Sequence, residues 1–144
     1  LKAAEVFLSY KVPLDKMLSL MDINLRQTRG AVLSLVELFP DLEKINFISI
    51  GNIFNRIVSK QNTETLINLY GTVGYILPTL ECRNYRWPAN SLLIMHSDGL
   101  QTRWNLEDYP GLIDAHPSII AAVLYRDFNR GTDDDVVMVV RNKA

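Results

Sequence analysis

The stretch LLIMHSDGLQTRW (Leu92–Trp104) drives an apolar run straight into a bare carboxylate and a glycine. A segment such as SLLIMHS belongs in the interior of a sheet. Its last residue then emerges at the sheet edge, where Gly99 lets the chain turn sharply and leaves Asp98 on the rim. A second stretch, GTDDDVVMVVR (Gly131–Arg141), has the opposite layout: Asp133, Asp134 and Asp135 stand just ahead of an equally apolar strand, VVMVVR. If the two strands are antiparallel neighbours, the end of one lies beside the start of the other. Asp98 and the Asp133–Asp135 cluster then converge on one rim.

Carboxylates held close together repel each other, and a divalent cation removes the conflict. Oxygen ligands of this kind select Mg²⁺ or Mn²⁺ over zinc. The only histidines, His96 and His116, stand in no ligand spacing, so a zinc site is not expected. Each acidic feature taken alone also reads as a solvated turn, because Asp-Gly and Asp runs are common turn sequences.

The rest of the chain points to an α+β domain. Leu1–Tyr10 and Pro13–Leu25 read as helices; in the second, Leu14, Met17, Leu18, Met21 and Leu25 form one apolar stripe. AVLSLVELF and INFISIGNI read as strands joined by the polar turn PDLEK, a hairpin. FNRIVS and TLINLY read as two further strands, GTVGYILPTLE as irregular loop, and NYRW as a strand ahead of the PAN turn. PSIIAAVLYRDF reads as a helix with Pro117 near its start. There is no regular β-α-β alternation, so a doubly wound nucleotide-binding fold is not expected. One domain over residues 1–144 is the simplest account.

Composition narrows the function further. The 144 residues are 48 % hydrophobic and 22 % charged with a net charge of −1. Nothing draws the chain to nucleic acid or acidic lipid. The single cysteine, Cys82, forms no internal disulfide, and no run approaches the roughly 18 apolar residues of a membrane span. A cytoplasmic location is expected. The sequence opens at Leu1 inside a helical pattern, which reads as a piece of a longer protein.

Five segments taken in order, LRQTRGAVLSL, ISIGNI, GTVGY, MHSDGLQTRW and RGTDDDVVMVVR, resemble the bacterial SpoIIE/RsbX branch of the metal-dependent protein phosphatase 2C superfamily. The resemblance runs from about Leu1 to Arg141. It implies an antiparallel β-sandwich flanked by helices in α-β-β-α layers, here lacking its N-terminal strands. It also implies hydrolysis of phosphoserine and phosphothreonine by a hydroxide bridging two Mn²⁺ or Mg²⁺ ions. Asp98 corresponds to the metal-binding Asp of the family's Ser-Asp-Gly motif. Asp133 corresponds to the first Asp of its Asp-Asp pair, with Gly99 and Asp134 in support. The family's first metal motif, an Asp-Gly followed by Gly-His-Gly, has no counterpart here, and its place falls ahead of Leu1. The expectation is an active parent phosphatase and an inactive isolated chain. The family carries a small residue and a Thr where this chain has Asp135 and Val136, which leaves the role of Asp135 open.

The implied partner is a small phosphorylated regulatory protein of the STAS, anti-anti-sigma type, with no nucleic acid and no membrane; fusion of the domain to other signalling domains is compatible with the branch. Arg26 and Arg29 are candidates to face phosphate or that partner, or else to pair with an acidic side chain. Gly51–Asn52 and Gly71–Thr72 are candidates to shape loops near the site. Trp87 and Trp104 read as core or as a docking surface. The competing account is a non-catalytic regulatory binding module that keeps the fold.

Overall fold

The apolar stripe of Leu14, Met17, Leu18, Met21 and Leu25 is the buried face of helix α2 (Leu14–Leu25). In the computed structural model, which describes residues 2–131 and 134–143, α2 packs beside α1 (Lys2–Ser9) and against a three-stranded antiparallel sheet. The chain forms two compact units, one of residues Leu1–Phe39, Lys44–Ile53 and Ile67–Arg86, the other of Pro40–Glu43, Phe54–Leu66 and Trp87–Ala144.

The sheet of the first unit has the order β1 (Leu33–Phe39), β2 (Lys44–Ile50), β5 (Arg83–Arg86). The expected hairpin is present: β1 and β2 pair antiparallel from Leu33 opposite Ile50 to Phe39 opposite Lys44. A 3-10 turn at Pro40–Leu42 joins them, followed by Glu43 at φ 46°. The core of the unit joins helix to sheet through Val6, Leu18, Met21, Leu35, Ile48 and Ile50. Each such side chain contributes roughly 1.5–3 kcal/mol by leaving water.

The second unit is built on a four-stranded antiparallel sheet of order β4 (Thr63–Thr65), β3 (Phe54–Val58), β6 (Leu92–His96), β7 (Val137–Arg141). β6 lies between β3 and β7 and every one of its residues is buried, as its unbroken apolar run requires. Helix α3 (Pro117–Phe128) covers one face through Ile120 and Leu124, which join Leu92, Ile94, Leu100, Trp104 and Leu106. Pro117 opens α3, and the His116 side chain accepts from the Ser118 N–H at 3.3 Å to cap it. Arg141 ties β7 to the segment ahead of α3, donating through Nη2 to Ile113 O and Ala115 O at 2.7 Å each.

Antiparallel sheets flanked by helices are thus present, at the coarse level that the α+β reading implies. Two strand readings need correction. TLINLY is not a strand: pairing stops at Thr65, and beyond it Leu66 donates to Asn55 O while Leu69 makes a single parallel bridge to Ile50. The Asn68 amide bonds to Ile53 O, and this side-chain bond holds the backbone out of a ladder. VVMVVR is a strand but not a buried one. It has β6 on one side only among the described residues, and Met138 is 46 % exposed while Val137 and Val139 pack toward α3.

Candidate functional site

β6 and β7 are antiparallel neighbours, with His96 opposite Val137. The register brings the segment after β6 against the segment before β7. The Ser97 N–H donates to Val136 O at 3.1 Å, and the Val136 N–H returns to Ser97 Oγ at 3.1 Å. The Ser97 hydroxyl donates to Asp134 O at 3.3 Å. Asp98 then sits exposed in the turn, and Gly99 is buried beneath it. The turn is anchored from its far side, because Gly99 O accepts from the Arg130 N–H at 3.0 Å and Gln101 donates to Phe128 O at 2.9 Å.

Gly99 is required by close approach. A Cβ there would fall on Asp135 Oδ1 and lie 2.7 Å from Asp135 Cγ. The Asp135 carboxylate therefore lies directly against the Gly99 backbone, and its two oxygens are shielded from solvent with no hydrogen-bond partner among the described residues. A buried carboxylate normally accepts several hydrogen bonds or meets a cation. Asp134 is exposed, and Asp133 lies outside the described residues. The strand ends thus bring together Asp98, Gly99, Asp134 and Asp135.

The donors of this rim are carboxylate and backbone oxygens, the chemistry of a hard cation. Their number is short: among the described residues no three His, Cys, Asp or Glu side chains group as an ion requires. Mg²⁺ takes about six oxygens in near-octahedral geometry. The described residues fall short of the two-ion centre that the resemblance implies.

His96, the neighbour of this turn, is occupied on both ring nitrogens. Trp104 Nε1–H donates to His96 Nε2 at 3.0 Å, and His96 Nδ1 meets Ser97 O at 2.7 Å. A carbonyl only accepts, so Nδ1 carries the proton and the ring is neutral. Burial pushes its pKa down; the bond to Ser97 O opposes this, and the Arg56 charge reinforces it. Phe54 covers the imidazole at 4.9 Å between ring centroids. The Arg56 guanidinium lies 4.5 Å from the Phe54 ring and 4.8 Å from the Trp104 ring, and donates to Trp104 O at 3.2 Å. Trp104 is buried, as is Trp87, so neither forms a docking surface.

Arg26 and Arg29 belong to the first unit, whereas Asp98 and Asp134 belong to the second. Arg26 pairs with an acid: its Nε and Nη2 donate to Asp22 Oδ2 at 3.2 and 3.1 Å. Asp22 is 4 % exposed, and its other oxygen accepts from the Gly74 N–H at 2.7 Å. Gly74 has φ 90° and packs on Leu25, where a Cβ would come within 2.6 Å of Leu25 Cβ. Arg29 is exposed. Gly51 and Gly71 also lie in the first unit, where Gly51 donates to Leu69 O.

Sequence reasoning passed over Asp22. Its signal was present, since an acid stands on the apolar stripe of α2 between Met21 and Leu25. Arg56 carried no such signal, because its partners Phe54 and Trp104 are recognisable only once β3 and the Trp104 loop are folded.

No family model matches the chain, and no curated protein does. Solved structures do. A chain from "The bacterial stressosome: a modular system that has been adapted to control secondary messenger signaling" is 26 % identical, with 95 % of this chain and 74 % of that one covered at TM-score 0.78. RsbX in complex with magnesium is 15 % identical, with coverage of 95 % and 68 % and TM-score 0.76. The phosphatase domain of the cell fate determinant SpoIIE from Bacillus subtilis is 20 % identical, with coverage of 99 % and 70 % and TM-score 0.58. The chain has a phosphatase 2C-like fold. Among its described residues, no helix is long and apolar enough to cross a membrane.

Proposed function

We propose that the chain acts as a regulatory module of phosphatase 2C-like fold in partner-switching signalling, binding a protein of the anti-sigma-factor antagonist type. The observation that carries this reading is the likeness to the stressosome chain, at 26 % identity over 95 % of the present sequence. The likeness to RsbX and SpoIIE adds the fold. Isothermal titration with a STAS-type antagonist, phosphorylated on serine and unphosphorylated, is the test. Saturable binding of either form is expected, and heat no greater than dilution for both overturns the proposal.

A second reading has one observation in its favour. The Asp135 oxygens, which have no hydrogen-bond partner among the described residues, lie beside the turn that carries Asp98, and a cation is the simplest partner for them. In this reading Asp98 and Asp133 ligate Mn²⁺ or Mg²⁺, Gly99 and Asp134 support them, and the chain or its parent hydrolyses phosphoserine. Bound metal supplies an activated water and charge neutralisation at phosphorus. Phosphate release from a phosphoserine protein in Mn²⁺, lost in Asp98→Asn, is the result that puts hydrolysis ahead of binding.

A further inference from the structure

The segments around LRQTRG and GTVGY, far apart in the sequence, interlock in the first unit. Ala31 and Val73 exchange two N–H···O bonds of 2.9 Å. Thr28 Oγ1 closes the preceding turn, donating to Leu25 O at 2.7 Å and accepting from the Gly30 N–H at 3.1 Å. Tyr75 and Ile76 both donate to Thr72 O, at 3.0 and 2.8 Å. A Cβ on Gly30 would lie 3.8 Å from Tyr75 Cβ, so the backbone next to Arg29 lies close to Tyr75. Asp22 locks the arrangement from beneath through Gly74 and Arg26.

This rigid support presents large side chains to solvent. Tyr70 is 90 % exposed, Tyr75 81 % and Ile76 50 %. Charge on the two segments has one sign. Residues 66–80 carry none, and residues 23–36 carry only Arg26 and Arg29. The Asp22 charge is buried and already engaged by Arg26. Tyrosine and arginine are the residues that dominate protein–protein binding energy. Segments already fixed in shape lose little entropy when they are covered.

We propose that this face docks an acidic surface of a folded partner protein, with Tyr75 and Arg29 as its anchors. The assignment rests on the reading of the chain as a partner-binding module and adds where the partner sits. Charge complementarity selects the occupant: the Arg26 charge is balanced by Asp22, which leaves Arg29 as the net charge beside an uncharged aromatic loop, a match for a carboxylate at the edge of an apolar patch. One net cation on a chain of net charge −1 gives an anionic bilayer little hold.

The test uses the same STAS-type antagonist domain as probe, with the full 144-residue chain and its Arg29→Glu and Tyr75→Ala variants. Both positions are exposed, so both variants are expected to fold, checked by circular dichroism and thermal melting. Each variant weakens binding about tenfold or more, and Arg29→Glu also flattens the salt dependence. Binding that is intact in both variants overturns this docking face while the regulatory reading stands. Failure of the parent chain to bind overturns both. Two further controls name other occupants and likewise overturn the proposal: concentration-dependent sedimentation abolished by Tyr75→Ala, which assigns the face to a second copy, and vesicles of phosphatidylserine retained by the parent chain but not by Arg29→Glu, which assign it to lipid.

Discussion

Two buried acids each sit against a glycine, and they differ in what they touch. Asp22, under the Gly74 loop, has both oxygens engaged, one by the Gly74 N–H and one by the Arg26 guanidinium. Asp135, against the Gly99 turn, has neither oxygen engaged among the described residues. The first is a staple. It satisfies a loop N–H that would otherwise be lost, and it joins segments 52 residues apart. The second is a cost carried by the fold, because polar oxygens taken out of water without a hydrogen bond among the described residues lose the solvation they had. One chain thus uses the same pair of residue types for opposite ends, and hydrogen bonding alone separates them.

The largest effect expected from breaking this comparison is at the staple. Asp22→Ala leaves the Gly74 N–H and the Arg26 guanidinium without their acceptor, at a cost of about 2–4 kcal/mol. Urea unfolding followed by tryptophan fluorescence reads it as a lower midpoint at unchanged slope. A loss under about 0.5 kcal/mol, the range of an ordinary surface substitution, would reduce Asp22 to a bystander.

The matching change at the other acid runs the opposite way. Asp135→Asn removes a desolvated charge and nearly preserves shape, so stability rises or holds within about 1 kcal/mol. Adding Mn²⁺ sharpens the contrast: if the carboxylate waits for a cation, the melting temperature of the parent chain rises with metal and that of Asp135→Asn does not. An Asp135→Asn chain destabilised as strongly as Asp22→Ala would show that Asp135 is a second staple.

The smallest effect concerns the ring next to the Gly99 turn. His96 accepts from Trp104 only while neutral, and burial holds its pKa below the unfolded value of about 6.5. Between those two values the unfolded chain binds the extra proton, so stability is full above about pH 6.5 and falls as the pH drops toward the folded pKa. Proton NMR of the His96 ring against pH, with urea midpoints at matching pH, checks both parts. A His96 titration above that of an exposed histidine would reverse the assignment.

How far the fold was legible follows from the range of the signals. The α2 stripe, the β1–β2 hairpin and the limits of α3 all rest on spacings or punctuation within about a dozen residues, and all appear where those spacings place them. TLINLY failed because its β-like composition gave no hint of the Asn68 bond to Ile53 or the Leu69 bridge to Ile50. At the candidate site, the pairing of β6 with β7 was legible as a condition, since apolar strands with acids at matching ends invite it. The contact between Asp135 and Gly99 was not, because the resemblance drew attention to Asp133, which lies outside the described residues. Arg26 was read as a phosphate or partner contact or as half of an ion pair, and its acid proved to be four residues back, in the last turn of α2.

By itself the sequence determined the alternation of apolar strand, helix and acidic turn, because hydrophobic period and turn chemistry are local properties of the chain. Folding alone settles which acid finds hydrogen bonds among the described residues and which does not, and it sets Gly30 against Thr72 and Tyr75. Those outcomes depend on distances between residues far apart along the chain, and burial and hydrogen bonding act through distance in space.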